Sequence, residues 1–319
     1  MIDVVALGEL LIDFTPHGDP ESRLFEKNAG GAPANVLAAL ARLGKRTAFI
    51  GKVGRDRFGE YLSASLEAQG VSTRGLAYSE REHTTLAFVE LSENGERTFT
   101  FCRNPGADTT LREDEVDLEL LSQAKLFHVG SISMTHEPSR SATMKALHFA
   151  RANGALVSFD PNWRPPLWPS REAAREAMLE ALPYADVLKA SEEELLLLSG
   201  TDEPEEGEKR LSDAYGVSLV FVTLGANGSF FRAGDRRGFA PSYPVRAVDA
   251  TGAGDAFLGG ALYGLLEAGA PIDELSGEAL HAIASFANAA GALATTKRGG
   301  IPAMPSREDV LRLMGAEAV

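Results

Sequence analysis

The sequence has few of the features that mark extracellular and membrane proteins. It contains one cysteine, Cys102, which cannot form an intramolecular disulfide bond and suits a reducing compartment. It has no run of about 18 uncharged apolar residues, so we expect no membrane span. Its apolar beginning carries Asp3, Glu9 and Asp13 and lacks the basic segment and cleavage site of a secretory leader. These absences predict a cytoplasmic protein.

The sequence also disfavours several binding functions. Its 31 basic residues against 45 acidic residues give a net charge of −14, which argues against a nucleic-acid partner or an anionic membrane surface. The six histidines are scattered, and no pair of them has the spacing of metal ligands. There is no internal repeat, low-complexity tract or linker, so residues 1–319 are predicted to form a single domain.

Short apolar segments recur along the chain and, from residue 110 on, alternate with helical patterns. Strand–helix alternation with buried strands predicts a doubly wound α/β fold, in which helices flank both faces of a mostly parallel sheet. The predicted strands are residues 4–7, 47–50, 125–130, 155–160, 186–190 and 218–225. The predicted helices between them include residues 115–124, 139–154, 171–182 and 192–200.

Two segments break this alternation. Residues 14–29 are polar and lack helical periodicity, and residues 84–103 contain two extended runs around Asn94 and Gly95, which is a β-hairpin signal. We interpret residues 14–29 and 84–108 as a small β-rich lid on the main sheet. The alternative is that these segments only decorate the surface.

The segment "DATGAGDAFLGG", residues 249–260, places Asp255 in the first turn of a predicted helix that ends at Gly269. Backbone N–H groups at the start of a helix have no intrahelical partner and carry partial positive charge, and glycine lets an anion approach them closely. The turn therefore indicates a phosphate site. It has neither the lysine of a P-loop nor a complete G-x-G-x-x-G pattern, so it is not a standard nucleotide motif.

An aspartate repels a bound phosphate and does not suit a site that only holds phosphate. It does suit a site that transfers phosphate to a hydroxyl, because a carboxylate orients that hydroxyl and takes its proton. From the pattern alone, a catalytic Asp255 and a simple capping turn are equally well supported.

The glycine turn resembles the C-terminal signature of the ribokinase-like (pfkB) sugar kinases, and four further segments resemble that family in the family's own order. "GELLIDF" (8–14) is similar to the first strand, which ends at a sugar-binding Asp, here Asp13; "NAGGAPANVLAALARLG" (28–44) to the N-terminal signature; "VTLGANGSFF" (222–231) to the nucleotide-side strand and turn; and "FANAAGALATTKRGG" (286–300) to the terminal helix and loop. The resemblance covers essentially the whole chain.

This resemblance implies a ribokinase-like fold and an ATP-dependent kinase. It makes Asp255 the base that deprotonates a sugar hydroxyl, and it makes the N–H groups of Gly252, Ala253 and Gly254 the anion hole for the transferred phosphoryl group. Three segments, residues 99–111, 128–142 and 158–170, are similar to those of fructokinases, which implies fructose as the acceptor sugar.

The resemblance also implies a set of sugar-binding residues. They are Asp13, Gly30, Gly31, Asn35, Phe101, Arg103, Arg164 and Asp255. A carboxylate and an amide together can hold several hydroxyls of a polyol. Each assignment has an alternative. Gly30, Gly31 and Asn35 could simply belong to a helix N-terminus with Pro33 in its first turn. Phe101 could only pack in the hairpin, and the two arginines could be surface cations.

On the nucleotide side, the resemblance implies contacts with ATP from Lys189, Ser191, Thr223, Gly225, Gly228, Gly254 and Asn288. Ser191-x-x-Glu194 is also a helix capping box, and the family usually has asparagine in place of Ser191. Glu194 is implied to act through water on the Mg²⁺ of Mg-ATP, a cation that keeps most of its waters. Lys189 is alternatively a strand-end lysine, and Asn288 alternatively a packing residue of its helix.

The resemblance further implies a K⁺ site at Asp249, Thr251, Ala294, Lys297 and Gly299, unless Lys297 itself takes the place of the cation. Lids of this family often pair across a dimer, which implies a homodimer. Two other functions stay open, a kinase of 2-keto-3-deoxygluconate and a non-catalytic sugar or nucleotide sensor. A dinucleotide-dependent oxidoreductase is disfavoured because no G-x-G-x-x-G follows the first strand.

Overall fold

The computed structural model describes residues 2–16, 24–91 and 97–315. Its strands are β1 (Ile2–Leu7), β2 (Leu11–Pro16), β3 (Phe25–Gly30), β4 (Thr47–Gly54), β5 (Val71–Ser79), β6 (Leu86–Leu91), β7 (Arg97–Cys102), β8 (Ala124–Gly130), β9 (Leu156–Asp160), β10 (Val187–Ser191), β11 (Leu219–Thr223), β12 (Gly228–Ala233) and β13 (Arg236–Pro241). Its α-helices are α1 (Ala32–Arg42), α2 (Arg57–Ala68), α3 (Leu118–Ser122), α4 (Ser139–Ala152), α5 (Arg171–Ala181), α6 (Glu192–Ser199), α7 (Pro204–Tyr215), α8 (Ala253–Ala268), α9 (Gly277–Ala294) and α10 (Arg307–Leu313). None of these helices is both long enough and apolar enough to cross a membrane.

Nine of the described strands form one sheet in the order β13-β12-β11-β10-β9-β8-β1-β4-β5. The strands from β11 to β5 pair in parallel, and only β12 and β13 add antiparallel pairs. Phe127, Phe159 and Phe221 of the central strands are fully buried. Two apolar cores cover the two faces of the sheet, as expected when helices flank a parallel sheet on both sides. The predicted doubly wound α/β fold is confirmed.

The predicted strand at residues 4–7 lies within β1, which spans Ile2–Leu7. The resemblance implied that the first strand ends at Asp13, but Asp13 lies on β2, in a second sheet. A Cβ on Gly8 would lie 2.5 Å from Cγ of Pro33, so the chain passes tightly against the start of α1 and leaves the large sheet there. Asp13 therefore approaches the carboxyl ends of the large sheet from a separate layer.

The smaller sheet has the strand order β3-β2-β6-β7. The pairs β2–β3 and β6–β7 are antiparallel, and β2–β6 is parallel. This confirms the predicted β-rich excursion, although it begins at Leu11 rather than at residue 14. The predicted turn at Asn94 and Gly95, and residues 17–23 of the predicted lid, lie outside the described residues.

Aromatic side chains join the smaller sheet to helix α2. Phe14 of β2 stacks on Phe88 of β6 with ring centroids 5.0 Å apart, and it meets Phe58 of α2 edge-on at 6.0 Å. Such pairs stabilise a contact beyond the area they bury. The opposite face of β2, which carries Asp13, is left to face the carboxyl ends of the large sheet.

Helix α8 begins and ends where the sequence predicted. Gly252, with a φ of 76°, precedes its first residue, and Gly269, with a φ of 61°, follows its last. Small residues bring α8 close to its neighbours, since a Cβ on Gly259 would lie 2.7 Å from Cβ of Ala39 in α1. The first turns of α1 and α8 meet as well, because Asn35 of α1 contacts Asp255 of α8.

Candidate active site

A cavity of about 390 Å³ opens at the carboxyl ends of β9 and β10, where ligands bind in open α/β sheets. Its walls come from β2, the start of α1, the turn after β9, the start of α6 and the turn before α8. The predicted site residues on its walls are Asp13, Gly31, Asn35, Phe101, Arg164, Lys189, Ser191, Glu194, Thr251, Gly252, Gly254 and Asp255. The fold therefore brings most of the predicted residues together.

Asp255 is buried in the first turn of α8 and is held by two amides. Asn35 Nδ2 donates to its Oδ2 at 2.8 Å, and Asn162 Nδ2 donates to its Oδ1 at 3.2 Å. Burial raises the pKa of Asp255, while these two hydrogen bonds and the charges of Lys189 and Arg164 oppose that rise. Each carboxylate oxygen keeps a lone pair that a hydroxyl can use.

The turn before α8 presents backbone N–H groups to the cavity. Gly252 and Gly254 line it, and within the described residues neither N–H donates to a backbone carbonyl. The Ala253 N–H differs from the prediction, because it donates to the carbonyl oxygen of Ala250 at 3.2 Å. Two of the three predicted donors are thus available at a helix N-terminus, which favours an anion.

Lys189 extends from β10 into the same turn. Its Nζ lies 3.0 Å from Oδ2 of Asp160, and both side chains are buried. Burial would lower the pKa of Lys189, but the carboxylates of Asp160, Glu194 and Asp255 raise it to about 12. The cavity thus contains one permanently charged ammonium group beside the helix N-terminus.

Glu194 forms the predicted capping box with Ser191. Ser191 N donates to Oε2 of Glu194 at 2.8 Å, and Glu194 N donates to Oγ of Ser191 at 3.3 Å. In addition, Trp163 N donates to Oε1 of Glu194 at 2.7 Å. The carboxylate is therefore fixed on the cavity wall by two backbone N–H groups, with lone pairs left for water.

The side chain of Asp13 on β2 lies directly against Gly30 on the neighbouring strand β3. A Cβ on Gly30 would lie 2.0 Å from Oδ2 of Asp13, so only glycine leaves room for this carboxylate. Burial raises the pKa of Asp13 to about 7, against the lowering effect of Arg164. Asp13 thus lies on the cavity wall in a position that restricts its movement, and its contact with a sugar stays a prediction.

Gly31 precedes α1 with a φ of 119°, and a Cβ there would lie 2.3 Å from the carbonyl oxygen of Glu9. Glu9 Oε1 accepts a hydrogen bond from Ala32 N at 2.7 Å, and burial raises the pKa of Glu9 to about 7. Pro33 lies in the first turn, as the sequence predicted. The contact from Glu9 was not predicted, because it joins residues that are distant in sequence.

Arg103 lies beside the main cavity, not on its wall. Its guanidinium is buried, forms an ion pair with Asp108 at 2.7 Å and donates to Thr135 Oγ1 at 2.7 Å. It lines a neighbouring cavity of about 310 Å³, which shares Phe101 with the first. A buried guanidinium requires such a counter-ion, and contact of Arg103 with a sugar stays a prediction.

Four residues predicted for the nucleotide, Thr223, Gly225, Gly228 and Asn288, do not line the main cavity. Thr223 pairs with Ser191 at the ends of β11 and β10, so that surface adjoins the cavity. Asn288 Nδ2 donates to Ser229 Oγ at 3.1 Å and to the Ala240 carbonyl at 2.9 Å, which packs α9 against β12 and β13. Contact of Asn288 with adenine stays a prediction.

Of the residues predicted for K⁺, three are joined by hydrogen bonds and Lys297 lies apart from them. Asp249 accepts hydrogen bonds from Thr251 N at 2.7 Å and from Gly299 N at 3.0 Å, so these three residues form one loop contact. Ala294 is the last residue of α9. Lys297 lines a separate cavity of about 370 Å³ near α10, away from the main cavity.

The end of β9 and the turn after it contain further site residues that the sequence motifs did not assign. Asp160 binds Lys189, Asn162 binds Asp255, and Trp163 binds Glu194 through its backbone. The resemblance of residues 158–170 to fructokinases implied a role only for Arg164 within this segment. The signal that points to it is Asp160-Pro161-Asn162, a turn sequence directly after a buried strand.

Residues 1–307 match the family pattern described as pfkB family carbohydrate kinase. The chain is 45% identical over 315 residues to Fructokinase-1 of Oryza sativa subsp. japonica, and the alignment covers 98% of this chain and 97% of that relative.

Solved structures agree with the family match. A fructokinase with bound ATP from Xylella fastidiosa has a TM-score of 0.90 at 37% identity, with 99% of each chain covered. A double-mutant fructokinase from Vibrio cholerae O395, in fructose, ADP and potassium ion bound form, has a TM-score of 0.89 at 36% identity, with 98% of each chain covered. The fold is ribokinase-like, and this chain belongs to the pfkB family of carbohydrate kinases and is a sugar phosphotransferase.

Proposed function

We propose that this protein is an ATP-dependent fructokinase, which converts fructose and ATP to fructose 6-phosphate and ADP. The observation that carries the proposal is the buried carboxylate of Asp255, held by two amides at the N-terminus of α8 and facing a cavity of about 390 Å³. A cavity of that size suits a small polar substrate. Similarity to fructokinases over nearly the full chain supports fructose as the acceptor.

In the proposed reaction, a bond forms between the primary hydroxyl oxygen of the sugar and the γ-phosphorus of ATP. The bond from that phosphorus to the β–γ bridging oxygen breaks, the hydroxyl proton passes to Asp255, and ADP leaves. The N–H groups of Gly252 and Gly254, with the ammonium of Lys189, neutralise the charge on the phosphoryl oxygens. Ala253 joins them only if its N–H gives up the bond to Ala250.

For the sugar, we assign hydrogen bonds to Asp13 and Asn35, because both line the cavity next to Asp255. Gly30 and Gly31 keep the backbone close to these side chains. Phe101 and Arg164 complete the wall, and Arg103 supports it from the neighbouring cavity. Together these groups offer the donors and acceptors that a polyol requires.

For the nucleotide, we assign the phosphates to the turn before α8 and to Lys189. The ribose and adenine would extend over the ends of β10 and β11, past Ser191, Thr223, Gly225 and Gly228, towards Asn288. The pairing of Ser191 with Thr223 supports this path, because it continues the cavity wall onto that surface.

We propose Mg²⁺ and K⁺ as the cations. Glu194 would act on Mg²⁺ through a bound water, and Mg²⁺ would neutralise charge on the ATP phosphates. The described residues contain no cluster of three or more His, Cys, Asp or Glu side chains able to hold a metal ion, which suits a cation bound chiefly by phosphate and water. For K⁺ we assign the loop of Asp249, Thr251 and Gly299, with Ala294 beside it; the separate position of Lys297 argues against its replacing the cation.

We further propose that residues 1–319 form one kinase domain, in which the smaller sheet closes over the sugar and excludes water. At the edge of that sheet, Leu24 and Phe25 are 65% and 45% exposed, and such apolar exposure favours pairing of two lids in a homodimer. The free thiol of Cys102 is compatible with a reducing cytoplasm.

The proposal is tested by measuring ADP release with fructose, ribose, glucose, 2-keto-3-deoxygluconate and nucleosides as acceptors. We expect the highest kcat/KM with fructose. The Asp255→Asn variant is the control for contaminating kinases, since it retains the fold but lacks the base. A higher kcat/KM with another sugar would assign a different substrate, and ADP release with no acceptor in the panel would favour the sensor.

A further inference from the structure

We propose that Asn162 is a positioning residue for phosphoryl transfer: its amide holds one oxygen of Asp255 while Asn35 holds the other, so that the carboxylate meets the acceptor hydroxyl in one orientation. The proposal rests on the kinase activity proposed above. It concerns a residue of the turn after β9, which none of the recognised motifs singled out.

The two amides act on different oxygens of the same carboxylate. Asn35 Nδ2 donates to Oδ2 at 2.8 Å from α1, and Asn162 Nδ2 donates to Oδ1 at 3.2 Å from the opposite side of the cavity floor. The terminal torsion of an aspartate is broad by itself, and a single hydrogen bond leaves rotation about that contact. A second donor on the other oxygen removes this freedom.

The backbone of Asn162 has an unusual conformation. Among the described residues it is the only one other than glycine with a positive φ, 46°. Asp160 Oδ1 accepts a hydrogen bond from Asn162 N at 3.1 Å and holds the turn in that state. Asparagine tolerates this region better than most residues, and strained conformations that persist in a buried position are typical of functional sites.

The side chain of Asn162 is not explained by packing. Its Oδ1 is buried and accepts no hydrogen bond from the described residues, and the same holds for Oδ1 of Asn35. An unpaired buried carbonyl oxygen destabilises a fold, and an apolar side chain would avoid that loss. The amide is therefore explained by its other end, the NH₂ group that contacts Asp255.

Charged groups from several elements face Asp255. The ammonium of Lys189 on β10 and the guanidinium of Arg164 after β9 lower its pKa. The carboxylates of Asp13 on β2 and Asp160 on β9 repel its charge. Burial raises the pKa, and the hydrogen bond from Asn162 lowers it, so loss of that bond shifts the titration of Asp255 to higher pH.

Two variants separate the amide from the backbone. Asn162→Gly keeps the positive φ and removes the amide, and Asn162→Asp keeps the shape and replaces the donor with a second carboxylate. Both are compared with wild type for kcat, for the KM of ATP and for the pH profile of kcat, on whichever sugar of the panel the wild type phosphorylates best. The exposed Asn153→Gly is the matched control.

We expect both variants to lose about 10- to 100-fold in kcat at an unchanged KM for ATP, with the acid limb of the profile at higher pH and the larger change in Asn162→Asp. A ¹³C titration of the Asp255 carboxyl, assigned by difference with Asp255→Asn, reports the same shift without turnover. A kcat within about twofold of wild type, or a loss of kcat with an unmoved acid limb and carboxyl titration, overturns the proposal. A wild type that prefers another sugar overturns only the choice of fructose.

Discussion

Asp160 Oδ2 lies 3.0 Å from Lys189 Nζ, and this buried ion pair stands directly behind the first turn of α8. A Cβ on Gly254 would lie 3.0 Å from the same Nζ. The positive charge is thereby fixed next to the N–H groups of a helix N-terminus. The pair joins the ends of two parallel strands to the glycine turn before α8.

Asp160→Ala leaves the Lys189 ammonium buried without its partner. We expect the free energy of unfolding to fall by about 3–5 kcal/mol, because an uncompensated buried charge is strongly unfavourable. Urea unfolding at pH 7 measures the change. Asp213→Ala is the control, since it breaks the exposed pair with Lys209, which contributes at most about 1 kcal/mol. If the two variants have the same free energy of unfolding, burial of Lys189 does not make the loss of its partner more destabilising.

Asp255→Asn removes the proposed base while keeping the size of the side chain. We expect kcat to fall by about 10³-fold, because general-base catalysis contributes on that order. Calorimetry should show that ATP still binds, since the N–H groups and Lys189 are unchanged. Near-wild-type turnover in this variant would end the proposal that Asp255 is the base.

Gly30→Ala forces the Asp13 carboxylate to move. The new Cβ would lie 2.0 Å from Oδ2, so we expect the KM for the sugar to rise about tenfold or more through the loss of a charged hydrogen bond, with little change in the KM for ATP. Gly277→Ala is the control, because a Cβ there meets nothing within 4 Å. An unchanged KM for the sugar would contradict the assignment of Asp13 to sugar binding.

Glu194→Gln removes the charge and retains a side-chain acceptor for the helix cap. We expect a higher Mg²⁺ concentration for half-maximal activity, because the water proposed to link Glu194 to Mg²⁺ is bound less strongly. A magnesium titration at fixed ATP measures the change, with the exposed Glu192→Gln as control. Identical titrations would leave Glu194 with its capping role alone.

The pKa of Asp13 predicts how the stability depends on pH. Burial raises it from 3.8 to about 7, so between these values the folded state holds a proton that the unfolded state has lost. The contribution of Asp13 to the free energy of unfolding is fully present below pH 3.8. It is lost as the pH rises from 3.8 to about 7, at a rate of up to about 1.4 kcal/mol per pH unit.

Asp13→Asn abolishes this dependence. We expect its free energy of unfolding, relative to wild type, to increase between about pH 4 and pH 7 and to be level below that range. Urea titrations at several pH values provide the comparison. A constant difference across the range would show that burial does not perturb Asp13.

Local patterns were sufficient to predict much of the fold. The strands around Phe127, Phe159 and Phe221 are short apolar runs, and helix α8 is bounded by Gly252 and Gly269 in left-handed conformations that glycine allows. Neither α2 nor β5 was predicted from the sequence. Helix α2 buries Gly59, Leu62 and Leu66 and lies chiefly against β5 of the large sheet, with Phe58 also in contact with the smaller sheet.

The candidate site, like the fold, could be predicted from the sequence only in part. The sequence by itself determined the glycine turn with Asp255, the capping box at Ser191 and the proximity of Gly31 to a helix start, because each depends on neighbours a few residues away. Only the tertiary structure decided that Asp13 reaches the cavity from a second sheet and that Asp160 and Asn162 hold Lys189 and Asp255. Those contacts join strands, turns and helices far apart in the chain, and hydrogen bonds across such distances are fixed by packing, which no local pattern contains.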